Sequence, residues 1–202
     1  MINIILKDGS VKKYSEETSV ISIAKDISEG LARNVISAKF NEKVIETNSI
    51  IREDGKLEFY TWDNDDGKKA FWHSSSHVMA QSIQELFPEA KLTIGPAINN
   101  GFYYDVDLGD KKISESDFEK IETRMLEICR EKHDFKLRLV SKKDALQFYK
   151  EQNNNYKIEL INDLNDGEIT FCDHSDFTDL CKGGHIPNCL LYTSPSPRDG
   201  LL

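Results

Sequence analysis

Residues 1–62 contain short runs of β-prone apolar side chains, separated by polar turns and interrupted by one segment with helical spacing. Asp8 and Gly9 lie between the first two runs and favour the tight turn of a β-hairpin. Ser19 is a suitable N-cap for a helix whose apolar positions extend from Val20 to Leu31. Strands are predicted at INIIL, VKKY, VISAKF, KVIE and KLEFYTW. This order of elements predicts a ubiquitin-like β-grasp fold.

From residue 70 onward, longer segments of helical spacing alternate with strand-like runs. The stretch 71–90 has the pattern of one amphipathic helix, which the Phe87–Pro88 step should end. The same reasoning predicts a helix over 117–132 after Ser114 or Ser116, a helix opening at Ser141, and strands at FKLRLV, YKIELI and EITFC. This second part is therefore predicted to be an α+β domain. The polar tract at 63–69, rich in Asp, Asn and Gly, is predicted to be a linker.

The composition is that of an ordinary globular protein, with 39% hydrophobic and 30% charged residues among 202. No window approaches the ~18 consecutive apolar residues of a membrane span. The N-terminus also lacks the features of a signal peptide. We therefore expect a cytoplasmic protein without membrane association, whose four cysteines are reduced thiols.

The charge is unevenly distributed. Residues 1–62 carry 9 basic and 10 acidic side chains, whereas residues 63–188 carry 16 and 24. Polynucleotide binding depends on a concentrated Lys/Arg surface that neutralises phosphates. The acidic second segment is therefore not expected to hold a nucleic acid without help from another part of a protein.

Two pairs of potential ligand side chains have the same spacing. His73 and His77 are four residues apart in the predicted helix, and Cys181 and His185 are four apart further along the chain. An i, i+4 pair lies on one helical face, so the two imidazoles could both contact a metal, a water or a substrate. The simpler alternative is that they pack at a helix surface. After the turn residues at 99–101, either Tyr103 or Tyr104 could line a pocket, because adjacent strand residues point to opposite faces.

These motifs resemble a known family. HSSSHVMAQSIQELFPEAKLTIGPAINNGFYYDVD, YKIELI and DLCKGGHIPN are similar to the landmarks of the threonyl-tRNA synthetase editing domain, and residues 1–62 resemble its TGS domain. Alanyl-tRNA synthetases share the His/Cys core, but the order of TGS and editing domains resembles the threonyl enzyme. The resemblance implies a β-grasp TGS domain at 1–62 and an incomplete α+β editing domain of the threonyl/alanyl type at 70–188.

The resemblance stops after Asn188, and residues 189–202 are expected to be a non-native tail. The chain would then be an N-terminal fragment of the family, without the parts that bind ATP, magnesium and zinc and attach threonine to tRNA(Thr). Full-length members are implied to be homodimers through those missing domains. No cofactor is expected in the fragment itself.

The resemblance implies that this segment hydrolyses Ser-tRNA(Thr), a mischarged ester. Such a step is physically necessary because serine lacks only one methyl group of threonine, and one such group supports about 10- to 200-fold discrimination. A second site that admits serine and excludes the methyl group completes the selection. The expected partner is the acceptor end of tRNA(Thr) charged with serine.

Ester hydrolysis needs a positioned water and a proton acceptor, and a neutral histidine suits the acceptor role. We assign this role to His73, whereas His77 and His185 would orient water and substrate and Cys181 would shape the floor of the pocket. The alternative is a zinc ion held by these four residues, which form a legitimate tetrahedral ligand set.

Three further residues match positions of the family. Lys157 would donate to the leaving 3′ oxygen or stabilise it, Asp179 would bind the ammonium of the substrate, and Tyr104 would lie near the substrate and the terminal adenosine. Two other functions remain open, a binding module without turnover and a zinc hydrolase with another substrate. The second lacks the H-E-x-x-H motif, because Ser74 occupies the glutamate position.

Overall fold

The computed structural model describes residues 1–187, so Asn188 and the predicted tail at 189–202 lie outside the described residues. The chain divides into two compact units, which are described separately. Unit 1 comprises Met1–Trp72 and Gly183–Pro187, and unit 2 contains His73–Lys182. Among residues 1–187, no helix combines the length and the apolar character that a membrane span requires.

Unit 1 contains a five-stranded sheet and two short helices. In chain order its elements are β1 (Ile2–Leu6), β2 (Val11–Tyr14), β3 (Thr18–Ser19), α1 (Val20–Ile27), α2 (Glu29–Asn34), β4 (Ser37–Phe40), β5 (Lys43–Ile45), β6 (Ile50–Ile51) and β7 (Gly55–Tyr60). The sheet order is β2-β1-β7-β4-β5, with β1 and β7 parallel and the other neighbours antiparallel. This is the predicted β-grasp arrangement, in which α1 packs its buried residues into the core beside β1 and β7.

The helix of unit 1 is shorter than predicted. Ser19 caps α1 by accepting the Ser22 N–H, as expected, but the helix does not continue to Leu31. The backbone of Ser28 is extended, and its side chain accepts the N–H of Leu31. Ser28 thereby caps a second helix, α2, which begins at Glu29. The predicted single helix is therefore two helices, because a serine that can cap the next turn competes with helix continuation.

The remaining elements form a mixed arrangement of helices and small sheets. They are α3 (Asp65–Leu86), β8 (Lys91–Leu92), β9 (Ala97–Ile98), β10 (Gly101–Phe102), β11 (Val106–Asp107), α4 (Glu115–Glu131), β12 (Lys136–Leu139), α5 (Lys142–Glu151), α6 (Asn155–Asn162), β13 (Thr170–His174) and β14 (Phe177–Leu180). Strands β12, β13 and β14 form an antiparallel sheet in that order, while β8 pairs with β11 and β9 with β10. The α+β prediction is confirmed.

Two local predictions differ from the structure. The segment YKIELI forms α6 and not a strand, because Asn154 caps the helix by accepting the Lys157 N–H, and Lys157 and Ile161 are buried on one helical side. The tract predicted as a linker is helical from Asp65 onward. Asp65 and Asp66 occupy the first turn of α3, where acidic side chains favour a helix N-terminus.

Candidate active site

The two histidines of α3 are in direct contact. Nε2 of His77 lies 3.3 Å from Nε2 of His73, and the ring centroids are 5.0 Å apart. The His77 ring is buried and packs edge-on against Phe135 and Phe177. The helical i, i+4 spacing therefore brings both imidazoles to one point, as the sequence predicted.

Cys181 follows β14 and reaches the same point. Its Sγ lies 3.3 Å from Nε2 of His73, and its N–H donates to the carbonyl of Thr170 on β13. The ligand atoms of His73, His77 and Cys181 lie within 4.8 Å of one another. We refer to these three residues as the His/Cys cluster.

Asp179, on β14 two residues before Cys181, collects hydrogen bonds from several elements of unit 2. Its Oδ2 accepts the Tyr104 hydroxyl at 2.6 Å, and its Oδ1 lies 2.6 Å from Nζ of Lys157. Nδ1 of His77 is 3.6 Å from Oδ2. The carboxylate therefore connects the His/Cys cluster with Lys157 and Tyr104, two candidate residues from distant parts of the sequence.

Lys157 is almost fully buried, and the local structure of α6 explains its position. Its side chain is 3% exposed, and its backbone N–H is bound by the side chain of Asn154. Asn154 also donates from Nδ2 to the carbonyl of Leu92 at 2.8 Å. The start of α6 is thus fixed to β8, and this contact orients the turn that carries Lys157 towards Asp179.

Tyr104 is placed by a glycine. A Cβ added at Gly95 would overlap the ring of Tyr104, so the ring packs on bare backbone. The Ser76 hydroxyl lies 2.7 Å from the carbonyl oxygen of His73 and 3.0 Å from that of Gly95, so its proton can be donated to either. Burial, together with the charge of Asp179 and the hydrogen bond to it, raises the pKa of the Tyr104 phenol well above its usual value. Tyr103 is about half exposed, so Tyr104 is the tyrosine that faces inward.

Tyr149 of α5 also reaches Asp179, although it was not among the residues predicted from the sequence. Its hydroxyl lies 3.3 Å from Oδ1 of Asp179 and accepts the N–H of Leu180 at 2.8 Å. Burial and the neighbouring charge of Asp179 raise the pKa of the Tyr149 phenol well above its usual value. The helical spacing of α5 could have predicted a buried ring at this position, but no local signal predicts the partner of the hydroxyl.

His185 lies on the segment Gly183–Pro187, which clusters with unit 1. The imidazole is fully buried, and its Nδ1 lies 3.4 Å from Oε1 of Glu46. The same oxygen accepts the N–H of Gly184 at 3.0 Å. Burial opposes ionisation of Glu46, but the hydrogen bond and charge of His185 outweigh it and lower the pKa of the carboxyl group. Glu46 was not a candidate from sequence, because it lies 139 residues away from His185.

The separations in the His/Cys cluster suit two kinds of chemistry. Nε2 of His73 lies 3.3 Å from both Nε2 of His77 and Sγ of Cys181, so it can donate to one of them or accept from them, depending on its tautomer. Ligands at about 2.0–2.3 Å from a tetrahedral zinc ion would have similar mutual distances. If zinc were bound, these residues could hold it, and it would supply a more acidic bound water. Two imidazoles beside a carboxylate, a lysine and a phenol can equally activate water and donate protons without an ion.

Comparisons with known proteins agree with the sequence resemblance. The TGS domain family matches residues 2–61. Threonine–tRNA ligases of Flavobacterium psychrophilum, Flavobacterium johnsoniae and Cytophaga hutchinsonii are 62%, 61% and 45% identical to the chain over 188 residues. Each alignment covers 93% of this chain and 29% of the relative, so the chain spans less than a third of the length of these curated relatives. With a TGS domain and a continuous match beyond it, the chain belongs to the threonine–tRNA ligase family and corresponds to the TGS-bearing part of those proteins.

Proposed function

We propose that unit 2 hydrolyses the ester bond of tRNA(Thr) mischarged with serine, as the editing part of a protein that attaches threonine to tRNA(Thr) using ATP. The observation that carries this proposal is the buried contact of His77, Tyr104 and Lys157 with one carboxylate, Asp179, beside the His73–Cys181 pair. Burial of several ionisable groups destabilises the folded state, and a domain without a chemical function would not need them. A proton-transfer site gives them a use.

In the proposed reaction, His73 accepts a proton from the attacking water. Its Nε2 is in contact with both His77 and Cys181, so the ring is held in place from two sides. A positioned neutral imidazole is suited to general-base chemistry. His77 orients the water, and Cys181 restricts the space beside it.

Lys157 and Tyr104 contact the substrate in the proposed reaction. The Lys157 ammonium stabilises the 3′ oxygen of the terminal ribose as the ester bond breaks, and the His73 imidazolium gives this oxygen the proton that it took from water. Tyr104 contacts the seryl group or the terminal adenosine. Asp179 carries the negative charge that both the lysine and the ammonium of the seryl group require, so substrate binding must share this carboxylate with Lys157.

The substrate preference is explained by size. A pocket that closes around serine has no space for the extra methyl group of threonine, and steric exclusion achieves a selectivity that attraction alone cannot. The net acidity of residues 63–188, with 16 basic and 24 acidic side chains, indicates that other parts of a longer protein hold the tRNA. The proposed partner is therefore the acceptor end of an already bound tRNA(Thr).

The test is the deacylation of Ser-tRNA(Thr) and Thr-tRNA(Thr) with enzyme in excess. It is made with the 202-residue chain and with a chimaera in which residues 1–188 replace the matching part of the Flavobacterium psychrophilum relative. We expect the chimaera to hydrolyse the seryl ester at least about tenfold faster than the threonyl ester. Equal rates for the two esters, or no hydrolysis by the chimaera, would overturn the proposal.

A further inference from the structure

We infer that Tyr149 is a positioning residue of the proposed site, which acts through Asp179 to hold Lys157 in place. This inference rests on the proposed function for its catalytic consequence, but the positioning itself can be tested independently. Tyr149 lies on α5 and is only 2% exposed, and its hydroxyl is already engaged by the N–H of Leu180 and by Oδ1 of Asp179. Its influence on the chemistry must therefore pass through the groups that its hydroxyl contacts.

The hydroxyl is bound on both sides. It accepts the N–H of Leu180 at 2.8 Å and lies 3.3 Å from Oδ1 of Asp179, to which it can donate its proton. The N–H of Cys181 donates to the carbonyl of Thr170 on β13. In an antiparallel pair, successive N–H groups point alternately towards the partner strand and away from it. The N–H of Leu180 therefore points away from β13. The Leu180 N–H is therefore shared by the Tyr149 hydroxyl and Oδ1 of Asp179, and the hydroxyl contacts both the backbone of β14 and the neighbouring carboxylate.

Asp179 needs such support because its carboxylate serves several partners. Oδ1 faces Lys157, Tyr149 and the N–H of Leu180, while Oδ2 faces Tyr104. Rotation of the carboxyl group would separate Oδ1 from Nζ of Lys157 and leave a buried ammonium without its counter-charge. The hydroxyl of Tyr149 opposes this rotation from the side of α5.

Packing alone does not account for a tyrosine at this position. The ring contacts Phe148 and Phe171 edge-on, and a phenylalanine would make the same contacts. A buried hydroxyl costs free energy unless it is hydrogen-bonded, so its presence indicates a polar function. Fixing Asp179 is the function that its two contacts support.

The first test measures Lys157 directly. Site-resolved rates of reductive methylation, followed by mass spectrometry, report how accessible and how firmly paired each lysine is. We expect slow modification of Lys157 in the 202-residue chain and a rate about tenfold higher in Tyr149→Phe, the scale of one lost hydrogen bond to a charged group. The matched control is Tyr156→Phe, which removes an exposed hydroxyl from another carboxylate, Asp107, and should leave the Lys157 rate unchanged.

The second test measures hydrolysis of the seryl ester by the same variants in the chimaera. Tyr149→Phe should lower kcat about tenfold with little change in KM, because the substrate does not touch Tyr149, whereas Tyr156→Phe should change neither. An unchanged methylation rate of Lys157 in Tyr149→Phe would overturn the inference. If the parent does not hydrolyse the ester at all, the proposed function fails while the methylation result still decides the positioning role.

A third measurement covers the case in which Tyr149→Phe does not fold. Hydrogen exchange at the amide of Leu180 in the unmodified chain reports its bonds to the Tyr149 hydroxyl and to Oδ1 of Asp179, because this amide points away from β13 and these are its two acceptors. Protection comparable to that of Cys181, whose amide is bound within the sheet, supports the inference. Rapid exchange at Leu180 beside a protected Cys181 would contradict it.

Discussion

The ammonium of Lys157 lies 2.6 Å from the carboxylate of Asp179, and the two side chains are 3% and 5% exposed. Removing one partner of such a pair leaves the other charge buried without compensation. We therefore predict that Lys157→Met lowers the free energy of unfolding by about 3–5 kcal/mol. Chemical denaturation followed by tryptophan fluorescence and circular dichroism measures the change.

The double variant Lys157→Met with Asp179→Asn provides the internal control for this prediction. It removes both charges, so it should be more stable than the sum of the single variants indicates. Lys120→Met is the surface control, because its partner Asp117 lies 3.2 Å away in an exposed i, i+3 pair. A change in the free energy of unfolding near zero for Lys157→Met, equal to that for Lys120→Met, would show that the Lys157–Asp179 pair does not stabilise the fold.

His73→Ala should lower hydrolysis of the seryl ester by about 100-fold or more, the usual scale for a lost general base. The fold should largely persist, because the change removes one partly exposed ring from a helix surface and alanine favours helix. Deacylation under enzyme excess and thermal unfolding are measured together. His133→Ala, which removes a half-exposed histidine of unit 2, is the matched control. A loss of folding that parallels the loss of activity would instead assign His73 a structural role.

Gly95→Ala should displace Tyr104, because the added Cβ would overlap the phenol ring. Overpacking of this kind costs about 1–3 kcal/mol, and hydrolysis of the seryl ester should also fall. The losses of stability and of hydrolysis share one cause, the displaced ring. In a Tyr104→Ala background, Gly95→Ala should therefore lower the free energy of unfolding only slightly further. Gly30→Ala is the control, since a Cβ at Gly30 meets only Ser28 Oγ at 3.9 Å. Equal costs of Gly95→Ala with and without the Tyr104 ring would refute the packing argument.

Removal of metal ions should leave hydrolysis unchanged, because the proposed mechanism uses only side chains of the chain. The measurement is deacylation by the chimaera before and after dialysis against a chelator, with zinc added back in a third sample. Metal analysis must include the 202-residue chain alone, so that metal bound by the rest of the chimaera is not counted. Stoichiometric zinc in that chain, lost together with activity on chelation, would establish the alternative in which the His/Cys cluster holds the ion.

The stabilisation contributed by Tyr104 should disappear at high pH. Its folded-state pKa is raised by burial, by the charge of Asp179 and by the hydrogen bond, so above the ordinary value near 10 the unfolded chain loses this proton while the folded chain keeps it. The stabilisation contributed by Tyr104 is therefore complete below about pH 10 and decreases as the pH rises above that value. The difference in unfolding free energy between the parent and Tyr104→Phe should therefore shrink between about pH 8 and pH 11. A constant difference across this range would argue against the buried phenol.

Most helices and strands follow from short-range rules. Ser19 and Ser141 precede the helices that they were predicted to start, and Ser114, one of the two serines predicted to start α4, is its N-cap. The helix α3 ends at Leu86 before the Phe87–Pro88 step. Such signals depend only on residues three or four positions apart, so they can be recognised in the sequence without knowledge of the tertiary structure. The contact of His73 with His77 has the same origin, because the geometry of one helix fixes it.

The segment YKIELI shows where short-range rules fail. Over six residues, alternating and helical spacing of apolar positions are hard to distinguish, and the cap from Asn154 decided in favour of α6. Lys157 then reaches Asp179 because α6 is anchored to the carbonyl of Leu92, a contact across 62 residues. No local pattern contains that information.

The chain's residue types and their spacing fixed its family, its β-grasp and α+β units, and the identity of the groups that could carry chemistry. The pairing of those groups depended on the three-dimensional path of the chain. Tyr104 meets Asp179 across 75 residues, and Tyr149 meets it across 30. Hydrogen bonds and ion pairs act over about 3 Å, so they form only after packing of whole elements has brought distant backbone segments together.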